Sequence, residues 1–145
     1  MNEKEKDNLF QQLILNAATT DGLGVHFTVY DKMYQLKDLI MIFIKDKTLS
    51  FKYCSKFNKE VNLKLLNNFI DDKDMLLKLA NKKLSKYMYI EIINYHYEDI
   101  SYIIDFIEIA IKNNHYIDVN FFKELNVNAK AKKNLNAAIT MIVLT

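Results

Sequence analysis

From Asn58 onward the apolar residues recur every three or four positions. Val61, Leu65, Leu66, Phe69 and Ile70 make one stripe. Met75, Leu76, Leu79, Ala80 and Leu84 make a second, and Ile100, Ile103, Ile104, Ile107 and Ile111 a third. Spacing of this kind lays side chains along one face of an α-helix. Each stripe follows a residue whose short polar side chain suits an N-cap: Asn58, Asp71 or Asp72, and Asp99. Asp118 opens a short segment with Phe121, Phe122 and Leu125, and a last helix starts near Asn128 and passes through Leu135, Ala138, Ile139 and Ile142. Phe106, Ile109 and Ala110 widen the third stripe, as expected of a central helix. The segment Tyr87 to Tyr97, rich in aromatic and β-branched residues, suits either a helix or a strand.

The first third of the chain reads differently. Residues 3–18 have helical spacing, with Leu9, Phe10, Leu13, Ile14 and Ala17 on one side. After Gly22 and Gly24 the period falls to two: Val25, Phe27 and Val29 alternate with His26, Thr28 and Tyr30. Leu39 to Ile44 is continuously apolar, 45–48 is polar, and Leu49, Phe51 and Tyr53 alternate with Ser50, Lys52 and Cys54. This pattern predicts a three-stranded antiparallel β-meander over about 25–54. The competing assignment is a helix from Lys32 to Lys45. The expected fold is therefore α+β and predominantly helical: an N-terminal helix, the short meander, then four to five helices, all in a single domain of 145 residues.

Composition narrows the chemistry. All twenty basic residues are lysine, so the bidentate grip of arginine on phosphate or guanine is unavailable. The single cysteine excludes a disulfide framework. The three histidines, His26, His96 and His115, have no metal-ligand spacing, so no metal, no other cofactor and no catalytic residue is expected. Cys54 paired with a histidine is the one nucleophile worth weighing, and a small buried thiol is the expected alternative. Glu98-Asp99 and Asp71-Asp72 read as helix caps. No apolar run approaches the ~20 residues of a membrane helix. A lone thiol and the absence of a targeting segment suggest the cytoplasm.

What remains is surface. Residues 45–86 carry eleven lysines against five acidic residues, and residues 87–124 carry seven acidic residues against two lysines. Such asymmetry can steer a partner. Lys78, Lys82, Lys83 and Lys86 with Tyr87, Tyr89, Tyr95 and Tyr97 are the candidate partner-binding residues, because tyrosine buries area while its hydroxyl stays wet. The expected function is that of a small non-enzymatic accessory protein binding another protein, with a homodimer as a further option. The abundance of Lys, Asn and Ile reflects A/T-rich codons and suggests a phage, viral or mobile-element inhibitor of a host defence or regulatory protein. The host cytoplasm is then its expected location.

The alternative is a nucleic-acid-binding regulator. Phe121 to Asn128, followed by Lys130, Lys132 and Lys133, resembles a helix-turn-helix, with Leu125-Asn126-Val127 at the turn. Phe122 stands where that motif usually holds alanine, and Lys132 where it holds an apolar residue. The apolar segment Ala137 to Leu144 is expected either in the core or as a partner-binding surface.

Overall fold

Polar side chains that accept a backbone N–H set most of the helix starts. The computed structural model describes residues 2–17, 26–29, 32–35 and 45–145, with side chains at 2–12 and 45–145. The elements in chain order are α1 (Glu3–Ala17), β1 (His26–Val29), β2 (Lys32–Gln35), α2 (Lys47–Tyr53), α3 (Lys59–Asn67), α4 (Lys73–Leu79), α5 (Lys86–His96), α6 (Ile100–Asn113), α7 (Val119–Lys123) and α8 (Ala129–Leu144). Asn58, Asp72, Asp99, Asp118 and Asn128 each accept from the N–H three residues on, at 2.9–3.1 Å, and so start α3, α4, α6, α7 and α8. The chain forms two compact units, Met1–Phe69 and Ile70–Thr145.

The α+β expectation is overturned. The three-stranded meander over 25–54 is not present, and the described residues are predominantly helical. Among the described residues, β structure is confined to the pair of four-residue strands β1 and β2, antiparallel with His26 opposite Gln35 and Val29 opposite Lys32. The segment expected as the third strand is helix α2. Asp46 caps it by accepting from the Leu49 N–H at 3.0 Å. The buried residues there are Leu49, Ser50, Tyr53 and Cys54, a helical spacing. The alternation of apolar and polar residues misleads because Ser50 faces inward, its hydroxyl accepting from the Asn68 amide at 3.1 Å. Tyr87 to His96 is helical, so six helices follow residue 54 rather than four to five. The apolar run Leu39–Ile44 lies outside the described residues.

In the first unit, Leu9 and Phe10 of α1 are buried. The Phe10 ring stacks on Tyr53 with centroids 4.6 Å apart. Asp7 accepts from the Tyr53 hydroxyl at 2.5 Å and from Lys52 at 2.8 Å. Lys52, then Tyr53, holds the Asp7 carboxyl below the usual carboxylate range. Burial, followed by Asp7, raises the Tyr53 phenol. The α2–α3 link turns through Ser55, whose φ of 79° is left-handed. Buried Asn62 stabilises that turn: its Oδ1 accepts from the Ser55 and Phe57 N–H groups, and its Nδ2 donates to the Phe57 carbonyl at 2.8 Å.

The second unit is built on α6. Ile103, Phe106, Ile107 and Ala110 are buried along one face, against which α8 packs through Ala131, Leu135, Ala138 and Ile139. Ala110, Ala131 and Ala138 keep the side chains small along this contact. Tyr89 of α5 sits edge-on to Phe106, Phe121 and Phe122, with centroids 5.4–6.0 Å apart. Burial pushes the Tyr89 phenol up to about 12.

Candidate functional site

The corner between α5 and α6 carries an open pocket of about 710 Å³ lined by Lys73, Tyr95, His96, Glu98, Asp99 and Ile100. Its floor is fixed by polar contacts within the second unit. The His96 ring is buried, and its Nε2–H donates to the Ile70 carbonyl at 2.6 Å. That carbonyl can only accept, so this bond fixes the proton on Nε2. The Tyr102 hydroxyl donates to the Lys73 carbonyl at 2.8 Å. The Lys73 ammonium reaches Asp99 Oδ2 at 2.7 Å and lies 5.4 Å from the Tyr102 ring centroid. Asp99 Oδ1 simultaneously caps α6. Lys73, then the Tyr102 N–H, holds the Asp99 carboxyl below the ordinary carboxylate range. Burial raises the Tyr102 phenol, and Asp74, Asp72 and Asp99 push it in the same direction.

The rim differs from the floor. Tyr95 is 54% exposed, with its ring edge-on to His96 at 4.8 Å. Glu98 is exposed and has no ion-pair partner among the described residues. On the outer face of α6, Asp105 and Glu108 are likewise exposed, with no ion-pair partner among the described residues. The site thus combines a braced floor, an exposed aromatic ring and unneutralised carboxylates. Chemically it can dock a group by stacking and charge.

The candidate residues read from the sequence do not share one surface. Tyr89 is core. Tyr87 and Tyr97 are half-buried, and the Tyr97 carbonyl accepts from the Asn134 amide at 2.9 Å. Lys78, Lys83 and Lys86 are exposed and Lys82 is half-buried, around the α4–α5 connection. Lys83 lies over the exposed Tyr116 ring, 5.5 Å from its centroid. Lys86 and Tyr95 are nine residues apart on α5, roughly 13 Å along its axis. Only Tyr95 belongs to the pocket. Lys73 and Asp99 are 26 positions apart, and no local signal marks their pairing; of the pocket, the sequence marks Tyr95 as a candidate contact and Glu98-Asp99 only as a helix cap.

Of the helix-turn-helix candidates, Lys130 and Lys133 are exposed. Lys132 is engaged: its ammonium donates to the Lys123 carbonyl and, at 3.2 Å, to that of Leu125, closing the C-terminal end of α7. Cys54 is sealed in the first unit, its thiol donating to the Asn62 carbonyl at 3.5 Å. The side chain of His26 lies outside the described residues. The segment 137–144 divides: Ala138 and Ile139 are core, whereas Met141, Val143 and Leu144 are exposed.

Among the described residues, no three His, Cys, Asp or Glu side chains gather as a metal site, and no helix is long and apolar enough to cross a membrane. Comparison with known protein families, with curated proteins and with solved structures finds no match to this chain.

Proposed function

We propose that the protein is a non-enzymatic binding module that docks another protein at the α5–α6 corner of its second unit. The observation that carries this reading is Tyr95, a large aromatic side chain more than half exposed at the mouth of an open pocket with a rigid floor. Exposed tyrosine on a braced support loses little entropy on binding and is a recurrent anchor of protein interfaces. Its two rotatable side-chain torsions are already biased by the contact with His96. The wider role proposed for the module is that of a phage, viral or mobile-element accessory protein blocking a host defence or regulatory protein in the host cytoplasm. That role rests on the lysine-, asparagine- and isoleucine-rich composition.

The test compares the full chain with its Tyr95→Ala variant, each immobilised and exposed to host lysate. A protein retained by the first and reduced at least about fivefold with the second is expected, since a buried aromatic anchor contributes about 1–2 kcal/mol or more. Circular dichroism of the two should coincide, because Tyr95 is not core. Equal retention by both chains would exclude this corner as the docking site. The nucleic-acid alternative predicts steeply salt-dependent binding through Lys130 and Lys133. The use of Lys132 to close α7 weighs against it.

A further inference from the structure

Building on the docking reading above, we infer that the pocket receives a lysine or arginine side chain from a basic segment of the partner protein, and that the outer face of α6 guides the rest of that segment.

Three observations converge. The first is the charge balance of the pocket. Its one lysine, Lys73, is already paired with Asp99. Asp99 in turn meets the partial positive charge at the start of α6 through its cap to the Tyr102 N–H. Of the pocket's charged groups, Glu98 alone has no counter-charge among the described residues. An incoming anion would meet an unpaired carboxylate, whereas a cation would neutralise one.

The second is the ring. Tyr95, more than half exposed, lines the same pocket as Glu98 and lies three residues from it in sequence. An ammonium or guanidinium group over the ring face gains from the ring quadrupole, and its alkyl stem covers apolar surface as it enters.

The third is the continuation along α6. Ser101, Asp105, Glu108 and Lys112 are exposed, at spacings of four, three and four residues, and so share the outer face. Asp105 and Glu108 have no ion-pair partner among the described residues, and they lie about 4.5 Å apart along the axis. Beyond the pocket, a basic segment would therefore meet two further carboxylates. The stretch 87–124 carries seven acidic residues against two lysines, a local excess of negative charge in a chain of net charge +2.

The probes are three fluorescein-labelled twelve-residue peptides of otherwise identical composition, with lysine, glutamine or glutamate at every third position. Fluorescence anisotropy with the full chain at 50 mM NaCl is expected to show binding of the lysine peptide, at least about tenfold tighter than of the other two. Raising the salt to 200 mM should weaken it several-fold, as for exposed charge pairs. Glu98→Lys combined with Asp105→Lys and Glu108→Lys should weaken it by about tenfold or more. Tyr95→Ala should cost about threefold to fivefold and Tyr95→Phe almost nothing, since the ring face remains. All these positions are solvent-facing, and unchanged circular dichroism keeps the comparison valid.

Glutamine or glutamate peptides that bind as well as the lysine peptide, and still lose affinity in Tyr95→Ala, would overturn the inference and leave the docking reading standing. Binding of the lysine peptide that ignores both variant sets would overturn the inference, and the partner-retention test then decides the docking reading separately. No binding by any of the three peptides would overturn it too.

Discussion

At the scale of single residues, Asn62 shows how one polar side chain fixes a backbone. Ser55 adopts φ 79°, a conformation that a non-glycine residue takes at a cost of about 1 kcal/mol. Asn62 offsets it with three hydrogen bonds to the 55–57 turn while 2% exposed. Replacing Asn62 by alanine strands two N–H groups and one carbonyl in a poorly hydrated site. We expect Asn62→Ala to lower stability by about 2–4 kcal/mol, measured by urea denaturation monitored by circular dichroism. A loss under about 0.5 kcal/mol, the range of an ordinary surface change, would show that the turn does not need Asn62. The sequence marks Asn62 only as a polar residue within a helical stripe. Its role arises because α3 presents it to a turn five to seven residues earlier.

At the scale of elements, the caps are legible in the sequence, whereas α2 reads there as a strand and α5 suits either helix or strand. Asn58, Asp72, Asp99, Asp118 and Asn128 act through the backbone three residues away, a local interaction that sequence contains in full. Asp46 is such a cap as well, but the alternation from Leu49 to Cys54 concealed it. In seven residues, both periods two and 3.6 fit that alternation until the environment of Ser50 is known. If α2 depends on its cap, Asp46→Ala should destabilise the protein by about 1 kcal/mol, within the usual range for losing an N-cap acceptor. Asp46→Asn, which retains the accepting oxygen, should recover most of that loss in the same thermal melts. Equal effects of the two variants would instead assign the loss to the 3.4 Å contact between Asp46 and Lys6.

At the scale of the whole molecule, carboxylates tie distant segments together in both units. Asp7 joins α1 to α2, and Asp99 joins the starts of α4 and α6. Both have folded-state acidities stronger than in the unfolded chain. Their contribution is therefore fully present above the unfolded value of about 3.9 and is lost as pH falls through the lower folded value. We expect stability to drop as pH falls below about 4, the ordinary carboxylate value, and on through the lower folded-state values. The drop should be shallower in Asp7→Asn and in Asp99→Asn than in the parent, when melting temperatures are compared across that interval. Identical pH profiles would show that neither carboxylate is linked to folding.

The helical register of the segments after Asn58 other than Tyr87 to Tyr97, the positions of most caps and the limits on chemistry set by a chain without arginine and with one thiol all follow from the sequence alone. Each of these depends on neighbours within about one helical turn or on composition alone. Only the tertiary structure decided that Ser50 faces inward, that Tyr89 is core while Tyr95 is exposed, and that Lys73 meets Asp99 26 positions away. A tyrosine's hydroxyl lets it sit on either side of a surface, and a lysine's partner depends on which helices cross. Both are settled by packing between segments remote in sequence, which no local pattern records.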